Sequence, residues 1–390
     1  MNEGSKIGYC TNVHAGVTIE QVKANLQKHA IPVKRLFRPD SAMGIGLWLS
    51  NQAANELLSS GGVQDFAQWL REAGLDPFTF NAFPFSDFHQ STVKHNVYLP
   101  TWAEESRLQY TVNIAKIQAS ILDEGEFGSV STLPLGWPVN ASKEFFHSSA
   151  KHLLSCADQL AEIKEQNGRH ISLCIEPEPG CAFDISQHVI EFFDHYLEPI
   201  AQTQNALDRV RQHVGVCHDV CHAAVMNELQ TDAIKNYRAH EIQIGKFQIS
   251  SAIEARFDGK SQEQKRELIS ELRSFAEDRY LHQTTIVDGK SRWFREDLPL
   301  ALDEFGDNPN GVWTIHFHVP IFAKQLGLLG TTQPQIESVL QELQKEQALP
   351  LHFEIETYAW TVLPESLRPN SLSDAIVQEL QYFQQLLHQI

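Results

Sequence analysis

Short, nearly continuous apolar runs alternate along the chain with longer stretches in which apolar residues recur every three or four positions. The runs Ile7–Val13, Ile45–Leu49, Phe78–Phe83, Ser129–Leu133, Ile171–Ile175, Val214–His218, Phe247–Ile249, Val312–Val319 and Leu351–Thr357 read as strands. Ile19–His29, Gln52–Leu58, Val63–Ala73, Glu104–Leu122, Ser142–Glu165, Gln187–Glu198, Ser261–His282, Gln335–Glu346 and Leu372–His388 read as amphipathic helices. Strands alternating with helices predict parallel βαβ units. Strands apolar on both faces predict a sheet covered on both sides. The pattern therefore predicts an α/β fold, a (β/α)₈ barrel.

Nine strand candidates exceed the eight places of such a barrel. Either Ser129–Leu133 or Val312–Val319 is then a loop segment or an accessory strand. The rival architecture, a doubly wound open sheet, calls for a glycine-rich turn after an early strand. No G-x-G-x-x-G follows any run, and Gly44-Ile45-Gly46 sits at the start of one. No linker rich in Pro, Gly or Ser divides the chain, so one barrel domain over 1–390 is expected, with an insertion at about 255–310. Thr284–Asn310 is the widest irregular stretch, with Arg292, Trp293, Phe294 and Arg295 clustered in it. It reads equally as a lid over a site or as a surface loop with its own small core.

Composition narrows the function classes. The chain has 390 residues, 42% of them hydrophobic, enough for a large core, and a formal net charge of −18. That charge opposes binding to nucleic acid or anionic membrane and suits a small-molecule metabolite. The first residues are polar and lead into a strand rather than a signal-type apolar segment. No run is long enough to span a bilayer. The six cysteines form no CxxC pair, and Cys10, Cys174 and Cys217 lie in strand-like runs. They read as buried thiols of a reducing compartment, and the protein as cytoplasmic.

Polar residues gather at the C-terminal ends of the apolar runs, where barrels of this kind place their sites. Ile171–Ile175 leads into Glu176-Pro177-Glu178, Val214–Cys217 into His218-Asp219-Val220-Cys221-His222, and Phe247 into Gln248. Ile315 leads into His316-Phe317-His318, and Phe353 into Glu354-Ile355-Glu356. Several buried carboxylates together are costly unless a cation neutralises them. Acids, His and Gln converging from five strand ends therefore point to a divalent metal (Mn²⁺, Mg²⁺, Co²⁺ or Zn²⁺). Each residue has a plainer reading. Asp219 is placed to cap a helix, the Glu-Pro pairs to form an extended turn, and His14 to be structural.

Val214-Gly215-Val216-Cys217-His218-Asp219-Val220-Cys221-His222-Ala223 resembles the D-x-C-H strand end of the xylose isomerase-like barrels, which include sugar epimerases and the endonuclease IV family. The resemblance implies a metal held by a Glu, an Asp, a His and a second Glu from four later strands. Glu176 matches the first Glu, Asp219 the Asp, and Glu356 the last Glu better than Glu354 does. Gln248 stands where the usual His is expected, and His316 or His318 is available to supply an imidazole. His222 matches the family's D-x-x-H histidine, which binds substrate in the epimerases and metal in the nuclease branch. Gly8–His14, Phe83-Pro84-Phe85 with Phe88-His89, Val93-Lys94, Val97–Trp102, His316–Pro320 and Glu356–Trp360 further resemble the EboE family of metabolite-traffic proteins. That resemblance implies an operon setting concerned with precursor metabolites, with protein partners encoded alongside.

Three functional readings follow. The first is a metal-dependent sugar isomerase or epimerase acting on a small polyol-like metabolite. Glu176 and Glu356 are its acid–base pair, His318 is a further candidate ligand, and His14, His222, His316 and Trp360 are the substrate-facing residues. The second is a metal-dependent phosphoester hydrolase with Arg292 or Arg295 as a phosphate clamp. The third is a non-catalytic metabolite-binding or carrier protein.

Overall fold

The computed structural model describes residues 5–137, 141–345, 351–357, 360, 363–365 and 368–389. Glu346, the expected end of one helix, and Tyr358 and Ala359 of the Glu356–Trp360 segment lie outside the described residues. Seven strands follow one another from the N-terminus: β1 (Lys6–Cys10), β2 (Met43–Trp48), β3 (Leu75–Asn81), β4 (Phe127–Thr132), β5 (His170–Ile175), β6 (Val214–Asp219) and β7 (Ile244–Ile249). A second group comprises β8 (Ile253–Arg256), β9 (Thr284–Asp288), β10 (Ser291–Arg295), β11 (Val312–Ile315), β12 (Gln325–Leu326) and β13 (Leu329–Thr331). The last strand is β14 (His352–Ile355).

β1 to β7 and β14 form a closed barrel in the order β1-β14-β7-β6-β5-β4-β3-β2. Every neighbouring pair in it is parallel. The nine-into-eight problem is thereby settled. Ser129–Leu133 belongs to barrel strand β4, and the accessory strand is Val312–Ile315. It lies between β8 and β9 in a separate antiparallel sheet of order β10-β9-β11-β8-β13-β12. Its apolar character reflects burial in that sheet, where Trp313 and Ile315 are fully covered. Residues 316–319, expected to continue the strand, instead cross toward the barrel, where the Val319 N–H donates to Ser251 O just beyond β7 (2.9 Å). Thr284–Asn310 is not an irregular loop. It forms the β9–β10 hairpin and the helix Leu298–Phe305.

Helix boundaries differ from the sequence pattern in three informative ways. The helical run from Ile19 continues through a wide turn at Leu26–Ala30 to Phe37, and Pro32, which has no N–H to donate, follows directly on that wider turn. The stretch expected as Ser261–His282 is helical only over Gln262–Arg273. The apolar Tyr280 and Leu281 beyond it reach the barrel mouth instead. Leu207–His213, Val220–Val225 and Gln230–Ala239 are further helices that the sequence pattern did not mark.

Barrel closure depends on small residues pointing inward. A Cβ on Gly46 would overlap the Glu354 carboxylate, so glycine there makes room for a buried acid. All six cysteines are buried and unpaired. No helix among the described residues is long and apolar enough to cross a membrane.

Candidate metal centre at the mouth of the barrel

Side chains two residues apart on a strand share a face. The parallel register therefore stacks inward residues in layers and delivers the last of each strand to the C-terminal mouth. Glu176 follows β5 directly, tied by its N–H to Thr132 O (2.9 Å). Asp219 ends β6, Gln248 lies in β7, and Glu356 follows β14, its N–H donating to Ile249 O (3.1 Å). Glu176, Asp219 and Glu356 are all buried and can each bring a carboxylate oxygen within 4.8 Å of the other two.

The three acids are held differently. Asp219 Oδ1 accepts the His222 N–H (2.9 Å), capping Val220–Val225, and the Ser250 hydroxyl (2.7 Å). The capping reading of Asp219 and the ligand reading are thus both available, on different oxygens. Glu356 Oε1 accepts Asn12 Nδ2–H (3.2 Å) and faces the Cys10 thiol (3.5 Å), while Oε2 accepts Gln248 Nε2–H (2.7 Å). Glu176 Oε2, Asp219 Oδ2 and Gln248 Oε1 are buried with no hydrogen-bond partner. Orphaned buried oxygens are costly. Three from three adjacent strands, beside a third carboxylate, fit a hard divalent cation.

Electrostatics point the same way. Burial, with the charges of Glu356 and Asp219, pushes the Glu176 carboxyl well above the usual range. Burial, then Glu354 and Asp219, pushes Glu356 up to about 8. Burial also works against the Asp219 charge, yet His222, His318 and the two hydrogen-bond donors hold its carboxyl below the ordinary value. The cluster favours one anion and resists three, which a bound cation would reverse.

Three histidines face the acids. His222 Nδ1 lies 2.8 Å from Pro177 O, His318 Nδ1 2.9 Å from Glu356 O, and His316 Nδ1 2.7 Å from Gln283 Oε1. A carbonyl oxygen only accepts, so each Nδ1 carries a hydrogen. Burial holds His318 down to about 4, and burial with the neighbouring histidines holds His316 well below the usual range. Glu176, Glu178, His222, His316, His318 and Glu356 line part of a cavity at the barrel mouth. Asn12, Asn81, Phe83, Phe88, Lys94, Tyr98 and Tyr280 are among the residues on the rest of it.

Two expected substrate-facing residues lie elsewhere. After β1 the chain enters a 3₁₀ turn at Thr11–Val13, which turns Asn12 rather than His14 to the cavity. His14 is buried with its Nε2 3.3 Å from Tyr9 OH and its ring stacked on His29. Trp360 is buried beside Glu379 and does not line the cavity. Arg295 pairs with Glu304, Arg292 lies against Met226, and neither lines the cavity. None of the described residues in 284–310 lines it. Asn12, Glu178, Ser250 and the Tyr98–Gln283 pair are the functional neighbours that the sequence did not single out.

No protein-family model matches the sequence, and no curated protein matches it. Solved structures do. A xylose isomerase-like TIM barrel protein from Mycobacterium smegmatis in complex with magnesium superposes with a TM-score of 0.53 at 10% identity, covering 99% of this chain and 97% of that one. D-allulose 3-epimerase from Methylomonas sp. superposes with a TM-score of 0.51 at 9% identity, covering 98% of each chain. The complex of that epimerase with D-allulose gives 0.50 at 9% identity, covering 98% of this chain and 96% of the other. At these identities the likeness is one of architecture, and the chain is a (β/α)₈ barrel of the xylose isomerase-like fold.

Proposed function

We propose that the chain is a metal-dependent isomerase or epimerase-like enzyme acting on a small polyol-like metabolite. The observation that carries this reading is the set of three convergent carboxylates, two with orphaned oxygens, opening on a cavity that His222, His316, Phe83 and Tyr280 also line. Glu176, Asp219 and Glu356 would hold the cation, with Gln248 or His318 as the fourth ligand. When bound, a divalent cation supplies polarisation of a substrate carbonyl and orientation of its hydroxyls.

Glu176 and Glu356 end strands that are separated by β6 and β7, so they approach a bound molecule from different sides. Either carboxyl is of the type that takes up and returns a proton. Asn12, Cys10 and Gln248 hold Glu356 in place. His222 and His316 face the substrate's oxygens, while Phe83, Phe88 and Tyr280 keep water from the reacting carbon. Support also comes from the neighbours of the same architecture, one in complex with magnesium and one with D-allulose. The resemblance to the EboE family adds a role in precursor-metabolite traffic with operon-encoded partners, and the six unpaired buried thiols suit a cytoplasmic setting.

The test is solvent isotope exchange. Metal-loaded protein incubated with a panel of ketoses and cyclitols in D₂O is expected to place deuterium on carbon. Absence of exchange alongside tight ligand binding across a metal panel would replace this reading with that of a carrier.

A further inference from the structure

We infer that the cavity takes a sugar acid, a polyol chain ending in a carboxylate, and that Lys94 is the residue that recognises the carboxylate. The inference rests on the reading of this cavity as a polyol site. Among the described residues that line the cavity, Lys94 is the only lysine or arginine. Its side chain is 29% exposed, whereas those of Glu176 and Glu356 are 4% and 6% exposed. The acids thus lie at the buried end of the cavity and the ammonium toward solvent. Phe83, Phe88 and Tyr280 line the cavity as well. A molecule whose hydroxyls sit at the carboxylate centre extends from there toward the ammonium.

Lys94 is fixed in both backbone and side chain. Its φ is 39°, a left-handed conformation that residues other than glycine rarely adopt. The Val93 and Lys94 N–H groups both donate to Arg279 O (2.8 and 3.0 Å), which holds the chain in it. Such backbone outliers persist where the surroundings impose them, and they gather at ligand clamps. Lys94 Nζ donates to Asp297 Oδ2 at 2.5 Å. Asp297 Oδ1 is committed to the His282 and Leu298 N–H groups (3.1 and 3.0 Å), the second at the head of helix Leu298–Phe305. Asp297 does not line the cavity, so it grips the ammonium from outside. An ammonium has three hydrogens to donate. Asp297 takes one, and the others can meet the oxygens of a carboxylate.

A neutral metabolite would not call for this lysine. Three glutamates line the same cavity and the chain carries a formal charge of −18, so an anion enters only where a cation offsets the repulsion. A phosphate ester, with about two charges and three acceptor oxygens, asks for more donors than one ammonium supplies. A carboxylate carries one charge and matches it. The competing reading is a purely structural tie between Lys94 and the segment that leads into helix Leu298–Phe305, and it predicts no effect on ligand choice.

Isothermal titration of the full chain loaded with Mn²⁺ tests this. It compares D-gluconate with D-glucitol, the same carbon chain with and without the carboxylate, and with D-glucitol 6-phosphate. Gluconate is expected to bind at least about 10-fold more tightly than glucitol, and more tightly than the phosphate ester. Lys94→Met should erase that preference, weakening gluconate by about 10–100-fold, the range of a hydrogen bond to a charged group. The Mn²⁺ held per chain should stay as in wild type. Lys94→Arg should keep most of the preference. Should Lys94→Met fold poorly, Lys94→Met with Asp297→Asn removes both charges, keeps an oxygen for the helix head, and is expected to show the same loss. A preference for gluconate that survives these substitutions would put its carboxylate on the metal and overturn the role of Lys94. Equal binding of gluconate and glucitol, or a preference for the phosphate ester, would overturn the inference and spare the proposed function. Binding of none of the three by the Mn²⁺-loaded chain would overturn both.

Discussion

Lys246 Nζ lies 2.5 Å from Glu354 Oε2, and both side chains are completely buried inside the barrel, one layer beneath Gln248 and Glu356. Burial opposes the charge on Lys246, but Glu354 together with Cys217, Cys10 and Glu176 outweighs it, and the ammonium is held above its usual range. Ser131 Oγ accepts a further hydrogen bond from Nζ at 3.0 Å. Removing one partner leaves an uncompensated charge in the core, whereas replacing both by apolar residues does not. Glu354→Ala is therefore expected to lower stability by about 3–5 kcal/mol in urea denaturation. The pair Lys246→Met with Glu354→Leu is expected to lower it by clearly less. Equal losses in the two proteins would show that the pair is not held as an ion pair.

The strand ends that carry the acids were legible in the sequence because a parallel barrel needs only period and order to place them. Glu176, Asp219, Gln248 and Glu356 each close an apolar run, and the register brings them together. Lys246 and Glu354 were not legible as a pair. They lie on non-consecutive strands, β7 and β14, and nothing local says that these become neighbours. His14 and Asn12 show the limit at finer scale. Both follow β1, and which one faces the cavity is decided by a 3₁₀ turn that no periodicity announces. The second sheet escaped for a similar reason. Its strands are two to five residues long, and their pairing is set by contacts across the insertion.

Ser250 offers a test of how the centre is held. Its hydroxyl donates to Asp219 Oδ1 at 2.7 Å and its oxygen accepts the Cys221 N–H at 2.9 Å. Without it Asp219 keeps only the His222 N–H and can rotate its free oxygen away from Glu176 and Glu356. Ser250→Ala is expected to weaken metal binding by about 10–100-fold in a competition titration against a chelating dye. The stability loss without metal should be only about 1–3 kcal/mol, the cost of leaving buried partners unmet. Unchanged metal affinity would remove Asp219 from the ligand set.

Glu176 carries the sharpest expectation for chemistry. Glu176→Gln keeps the shape of the side chain but removes the group that would take a proton. Deuterium incorporation from solvent is expected to fall at least about 100-fold, the lower end of what a positioned acid or base contributes. Near-ultraviolet circular dichroism should match that of wild type. Exchange that survives the substitution would assign the proton transfer to another residue.

Glu379 should govern part of the pH dependence of stability. It lies on the last helix, Leu372–Gln389, and its Oε1 accepts the Thr357 hydroxyl (2.6 Å) and the Ile321 N–H (3.1 Å). Burial nevertheless raises its carboxyl from 4.5 to about 7. For an acid whose folded pKa lies above its unfolded value, both states are protonated below about 4.5 and the group has no effect there. Between about 4.5 and 7 the unfolded chain loses the proton while the folded chain keeps it, so stability falls as the pH rises. Above 7 both states are ionised and the loss is complete, about 3 kcal/mol from the size of the shift. Glu379→Gln keeps an oxygen for both donors and cannot ionise. The variant is therefore expected to gain on wild type by about that amount between pH 5 and pH 8, read as the change in urea stability difference. Taking the difference at each pH cancels the other titrating groups, which are common to the two proteins. A difference that stays constant over that interval would mean that Glu379 ionises normally and that the contact holding Thr357 beside Glu356 is made by a charged group.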